Sequence, residues 1–309
     1  MKIQFLGTGS GVPAKHRNVS SLALKLLDEI NEIWLFDCGE ATQHQILRTT
    51  LKPRKVTKIF ITHMHGDHIF GLPGFLSSRA FQGGDSALTI YGPKGIKDYV
   101  LMSLKLSKTF LKYPIHFVEF SDGDQLLNTD QFTVSVRKVS HGIDSYGFRI
   151  EESDHQGSLD ADALKEIGVP FGSLYGKLKD GKTVTLDDGR IINGQDYIGK
   201  DIKGRKLAII GDTKPCENAY ELAKDVDILV HEGTFNHSDK KLAHSYNHST
   251  NVQAAELASK ASVGCLLLTH LSSRYLAHDI KELEEEAREV FKETYVMHDF
   301  KEFQLKHKS

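Results

Sequence analysis

Apolar residues in the first half of the chain fall in short runs closed by glycine or polar turns. This is the pattern of buried strands in a mixed α/β protein. Residues 3–6 form one such run ahead of Gly7-Thr8-Gly9-Ser10-Gly11. Residues 21–26 and 33–36 flank the turn Asp28-Glu29-Ile30-Asn31, which predicts two paired strands. Residues 41–50 carry helical periodicity, Lys58-Ile59-Phe60-Ile61-Thr62 reads as a buried strand, and a histidine cluster begins on the next residue. A helix is expected over 72–81 and a strand over 87–91, stopped by Gly92-Pro93. The second half repeats this grammar. Apolar strands at 206–210, 226–230 and 264–269 run into Gly211-Asp212, His231-Glu232 and His270. Polar groups at the ends of adjacent buried strands converge in space, where α/β proteins place their chemistry. Helices at 250–261 and 279–291 would cover the sheet, so the expected architecture is two sheets sandwiched between helices. Residues from about 150 to 200 interrupt the pattern with Glu151-Glu152-Ser153-Asp154-His155-Gln156-Gly157-Ser158 and recurring charges and glycines. They read as a protruding arm inserted in one domain spanning 1–309.

Composition narrows the class without naming a substrate. With 309 residues, 39% hydrophobic and 26% charged, the chain suits a globular enzyme with a sizeable core. Its formal charge of −2 offers no global basic field, so an anionic substrate must be drawn by a local patch or by bound metal. Cys38, Cys216 and Cys265 form no Cys-x-x-Cys pair and read as reduced thiols. The start, Met1-Lys2-Ile3-Gln4-Phe5-Leu6-Gly7, lacks the pattern of a signal peptide, and no apolar run approaches the ~20 residues that span a bilayer. A cytoplasmic protein with no membrane partner is expected.

Chemistry concentrates in His63-Met64-His65-Gly66-Asp67-His68. Neutral imidazoles and carboxylates are the usual ligands of catalytic zinc, and His-x-His sets two rings on one side of an extended loop. Asp67 and His68 follow at the turn, aimed differently, and can serve a second metal. Solvent-exposed loop histidines are the plain alternative, but a buried cluster without metal would strand several polar groups. His141, Asp212 and His270 each follow a predicted strand. Singly each reads as well as a cap or a backbone-bonded side chain; together they complete two coordination shells. A bridging Asp212 would hold two ions about 3.5–4 Å apart, suited to in-line displacement at phosphorus.

These residues carry a family resemblance. The His-x-His-x-Asp-His motif with a later His, Asp and His is similar to the metallo-β-lactamase superfamily. Phe5-Leu6-Gly7-Thr8-Gly9, Leu35-Phe36-Asp37-Cys38-Gly39-Glu40-Ala41-Thr42-Gln43, Gly211-Asp212-Thr213, His231-Glu232, His248-Ser249-Thr250 and Thr269-His270-Leu271-Ser272-Ser273-Arg274 resemble its bacterial ribonuclease Z branch, in order along essentially the whole chain.

The resemblance implies an αββα four-layer sandwich, the metallo-β-lactamase fold, with an inserted tRNA-binding arm at about 151–200. It implies a zinc-dependent endoribonuclease that removes the 3′ trailer of precursor tRNA by in-line attack of a metal-bound hydroxide, leaving a 3′-hydroxyl on the tRNA and a 5′-phosphate on the trailer. His63, His65 and His141 would hold one of two Zn2+ ions per subunit, and Asp67, His68 and His270 the other, with Asp212 bridging; Mn2+ or Co2+ are candidate substitutes. Asp67 would also accept the proton of the attacking water. His248 would protonate the departing 3′ oxygen, oriented by Glu232, and Asp37 would brace the ligands from behind. Lys52, Arg54 and Lys55, in a compact basic turn, and Arg274 are candidates for gripping phosphates near the cleavage site, although a solvated charged loop reads equally well. In the arm, Gly168, Pro170 and Gly172 with Lys177, Lys179 and Lys182 would clasp the tRNA elbow; Ser173 stands where the family pattern usually has proline. The resemblance also implies a homodimer in which one subunit's arm serves the other's site. Two other readings stand beside this one: a relative hydrolysing small phosphodiesters, and a non-catalytic RNA-binding scaffold, which would have eroded ligands.

Overall fold

In the computed structural model, residues 1–307 are described and form two compact units. The larger comprises 1–151 and 206–306, the smaller 152–205 together with residue 307. The first half supplies β1 (Lys2–Gly7), β2 (Ser21–Leu26), β3 (Glu32–Phe36), β4 (Val56–Phe60), β5 (Leu88–Gly92) and β6 (Ile115–Glu119). Next come β7 (Gln125–Asn128), β8 (Phe132–Val139) and β9 (Ser145–Glu152). The smaller unit adds β10 (Thr183–Thr185) and β11 (Ile191–Asn193). The chain then continues through β12 (Lys206–Ile210), β13 (Ile228–Glu232), β14 (Leu266–Thr269), β15 (Thr294–Val296) and β16 (Glu302–Gln304).

Two seven-stranded sheets result, ordered β16-β1-β2-β3-β4-β5-β6 and β15-β14-β13-β12-β9-β8-β7. Strands β3 to β6 run parallel, as do β12 to β15, so each set delivers its C-terminal ends to one edge. Their facing surfaces bury a shared aromatic core. Phe36 stacks on Phe60 at 4.9 Å and Phe60 meets Phe148 of the opposite sheet edge-on at 5.5 Å. Helices α1 (Thr42–Ile46), α2 (Gly66–Ile69), α3 (Leu72–Phe81) and α4 (Ile96–Leu106) belong to the first half. Phe75, Leu76 and Val100 from α3 and α4 join the core on the outer face of the first sheet. The smaller unit contributes α5 (Ala161–Glu166) and α6 (Ser173–Lys179). Beyond it, α7 (Glu217–Ala223), α8 (Lys240–Ser245), α9 (Asn251–Lys260) and α10 (Ala277–Val290) follow, with α7, α9 and α10 covering the second sheet. The layers of the larger unit are therefore helix, sheet, sheet, helix.

One expected element is shorter. Helicity predicted over 41–50 is confined to α1, because Ala41 sits at φ 60 before it and the chain after Ile46 tightens into three-residue turns. The Thr49 hydroxyl there donates to the Ile46 carbonyl at 2.8 Å, competing with a continuing helix.

At the C-terminal edge the two sheets are tied by backbone. The Tyr146 amide donates across to the Thr62 carbonyl at 3.1 Å, while within the second sheet the Gly211 amide donates to the Tyr146 carbonyl at 3.2 Å. Residue 211 has to be glycine, since a Cβ there would lie 2.6 Å from the Thr62 Cβ. The smaller unit has its own core of Leu164, Val169, Leu178, Val184, Leu186 and Ile192 around the β10–β11 hairpin. Its first and last residues are locked together: Arg205 grips the Glu152 carboxylate through Nε at 2.7 Å and Nη2 at 2.6 Å. Among the described residues, no helix is long and apolar enough to cross a membrane.

Candidate metal centre

Strand β4 ends at Phe60, and the following loop starts α2 at Gly66, so His63 and His65 leave the sheet in extended backbone while Asp67 and His68 turn with the helix. His141 lies two residues past β8, Asp212 two past β12, and His270 directly after β14. The seven residues meet at one edge of the larger unit. Donor atoms of His63, His65, His141 and Asp212 form one group, and those of Asp67, His68 and His270 another, each within 4.8 Å. His63 Nε2 is 3.1 Å from His65 Nδ1, which is 3.3 Å from His141 Nε2. The Asp212 Oδ2 atom is shared: it lies 3.7 Å from His63, 3.6 Å from His68 and 3.2 Å from His270, each measured to Nε2. On the far side, Asp67 Oδ2 is 3.6 Å from His68 Nε2 and 3.4 Å from His270 Nε2.

A second set of contacts fixes each ring. His68 Nδ1 donates to Asp37 at 2.7 Å, and Asp37 also accepts from the Thr62 amide at 2.8 Å. Asp37 sits at φ 56 and His270 at φ 57, a region side-chain-bearing residues seldom occupy, and the network holds both there. His141 Nδ1 is bonded to the Asn247 carbonyl at 2.9 Å, and His270 Nδ1 to the Thr234 hydroxyl at 2.9 Å. That hydroxyl donates to Glu232 Oε2 at 2.6 Å, and Glu232 Oε1 accepts from His248 Nδ1 at 2.9 Å. The Gly11 amide donates to Asp67 Oδ2 at 2.7 Å.

These residues fit divalent ions. His68 Nε2 is fully buried with no hydrogen-bond partner while its ring is oriented from behind by Asp37, the usual arrangement of a ligating imidazole. Burial, with His68 beside it, drives the His63 pKa well below normal, leaving a neutral ring. Burial opposes charge on His68 too, but Asp212 and Asp37 override it and hold that pKa well above normal. The same negative surroundings favour a bound cation. Asp212 stays ionised despite complete burial because His270, His68 and His63 surround it. At His248, burial is again outweighed, chiefly by Glu232, and the pKa rises to about 9.

The RNA-contact candidates scatter. Lys52, Arg54 and Lys55 lie at the N-terminal end of β4, opposite to the histidines, and the Lys55 ammonium is engaged by Asn31 at 2.9 Å. A five-residue strand spans about 16 Å, so this turn is one strand length away from the histidine loop. Arg274 is nearer the centre: its guanidinium lies 5.5 Å above the Phe235 ring, which is 6.0 Å from the His248 ring. Gly168 and Gly172 take φ 78 and 151 around exposed Pro170 and Phe171, and Ser173 opens α6, a first position that suits serine and proline alike. Thr62, Thr234 and the Gly11 amide were not anticipated. Thr62 directly precedes His63, but Thr234 and Gly11 are far from the ligand candidates in sequence, and a hydroxyl or amide contact has no sequence signature.

Comparison with known proteins gives four matches. A family model described as "Anti-Pycsar protein Apyc1" matches residues 1–163. A ribonuclease Z from Pediococcus pentosaceus is 57% identical over 300 residues, 97% of each chain. Among solved structures, the short form of human tRNase Z superposes with a TM-score of 0.72 at 28% identity, covering 98% of this chain and 99% of that one. A metallo-β-lactamase-fold protein from Bacillus subtilis gives 0.67 at 21% identity and 98% of each chain, a likeness of fold alone.

Proposed function

The chain belongs to the ribonuclease Z family, and from that premise we propose that it is the endoribonuclease that removes the 3′ trailer from precursor tRNA. The observation that carries this reading is the pair of ligand groups sharing Asp212, with the His248–Glu232 pair beside them. We assign His63, His65 and His141 to one ion and Asp67, His68 and His270 to a second, with Asp212 common to both. Imidazole and carboxylate ligands support zinc, with manganese and cobalt as substitutes. Bound there, such ions polarise phosphoryl oxygens and lower the pKa of water toward neutrality.

The chain's own groups do the rest. Asp67, its Oδ2 fixed by the Gly11 amide, takes the proton of the attacking water. Glu232 occupies His248 Nδ1, leaving Nε2 to deliver a proton to the departing O3′; the bond from phosphorus to that oxygen breaks as the new P–O bond forms. The products are a 3′-hydroxyl on the tRNA and a 5′-phosphate on the trailer. We further assign tRNA holding to residues 152–205, supported by exposed Phe171 and the lysines of α6, and infer a homodimer whose arms each serve the partner's centre. Three unpaired cysteines support a cytoplasmic setting.

The test is incubation of zinc-loaded protein with a 3′-extended tRNA transcript. Cleavage after the discriminator nucleotide is expected. An intact transcript beside rapid turnover of a model phosphodiester would overturn the reading in favour of a small-phosphodiester hydrolase. Asp67→Ala should abolish cleavage yet leave tRNA affinity within a few-fold; a large affinity loss would make Asp67 mainly structural.

A further inference from the structure

Tyr246, Asn247 and His248 are consecutive, and two of them already have tasks at the centre. The Asn247 carbonyl holds His141, and His248 is bonded to Glu232. Asn247 takes φ 59, a left-handed kink between its neighbours. Tyr246 is 62% exposed, although it stands beside a buried polar centre. Its ring lies nearly parallel to Phe235, at 22° and 6.4 Å between centroids, and Phe235 is buried 6.0 Å from the His248 ring. The Arg274 guanidinium lies over the same Phe235 ring. Tyr275 and Arg274 both reach Asp239, so this side of the site is braced.

Large exposed aromatics next to a cationic side chain form the platform on which unpaired bases stack. Nothing in the fold itself requires Tyr246 to be aromatic. We propose that Tyr246, backed by Phe235, is the stacking site for the discriminator base, the nucleotide whose O3′ leaves. The side follows from the chemistry: His248 protonates that oxygen, so the sugar carrying it is the one next to the residues flanking His248. This inference rests on the tRNA reading above and specifies one subsite within it.

The test is a double-mutant cycle between protein and RNA, with a precursor tRNA carrying either a normal or an abasic discriminator nucleotide. Removing the base should lower kcat/KM of the wild-type enzyme about ten- to hundredfold, the range of one base–aromatic stack. In Tyr246→Ala the same removal should have almost no further effect, while Tyr246→Phe should behave as wild type. Equal losses from base removal in wild type and Tyr246→Ala would overturn the subsite while leaving the tRNA reading intact. Failure of the wild type to cut the normal precursor would instead remove the reading beneath it.

Discussion

Glu232 shows how one buried carboxylate organises two functions. Its oxygens accept from His248, from the Thr234 hydroxyl, and from the amides of Thr213 and Ser249, so none of its capacity goes to water. Through Thr234 it also steadies the ligand ring of His270. The electrostatic consequence is specific. Burial opposes charge on His248, but Glu232 leads the groups that lift its pKa to about 9, so the ring carries its proton through neutrality and loses it as the pH passes that value. In Glu232→Gln the amide keeps the shape and loses the charge, so the His248 pKa falls. The alkaline limb of kcat against pH, measured on precursor tRNA, should therefore move to lower pH, with the rate at pH 8 reduced about ten- to hundredfold. An unmoved limb would show that another group donates the proton.

Among the elements, the parallel strands β12, β13 and β14 were the most legible. Each was a short apolar run ending in Asp, Glu or His, and each lies within two residues of where that run falls, whereas β6 and β15 had no such signal. Helix α3 matches its expected span, Leu72–Phe81, with Leu72, Phe75 and Leu76 on its buried face and Arg79 completing it. Tertiary contacts hid the rest. The turn after α1 depends on a side-chain hydroxyl, and the position of the Lys52–Lys55 turn depends on which end of β4 faces the centre. Sequence order places that turn near His63, whereas the direction of the strand places it far away. The smaller unit offered only polar composition, although it carries a small core and a buried Glu152–Arg205 lock. Burial would raise the Glu152 pKa, but Arg205 reverses this and the group sits at about 2 against an ordinary 4.5. A lowered carboxylate pKa contributes stability that is complete above about pH 4.5 and lost as pH falls toward 2. Arg205→Leu removes the guanidinium and leaves the carboxylate to His155 at 3.0 Å, and should destabilise the protein by about 3 kcal/mol at pH 7. In urea unfolding the difference from wild type should shrink at pH 3, where Glu152 can take a proton. A difference independent of pH would show that the lock acts by packing alone.

At the scale of the whole molecule, one unit carries the ligands and the other carries the proposed tRNA contacts, so chemistry and recognition are separable. Excising 160–190 should weaken tRNA binding at least tenfold in filter binding while turnover of bis(p-nitrophenyl) phosphate stays near wild type. Equal loss of both activities would refute a dedicated recognition unit. The topology has another consequence. The proposed ligands are dispersed from His63 to His270, and the last of them follows β14, which must pair with β13 before His270 can face Asp212. At about 5–20 residues per second, synthesis of the intervening chain lasts roughly 10–40 s. Throughout that interval a nascent chain holds the His63–His68 loop without the residues that complete it. On the ligand assignment proposed above, a ribosome-bound fragment is expected to be inert toward the transcripts around it, with nuclease activity beginning only when the second sheet has closed.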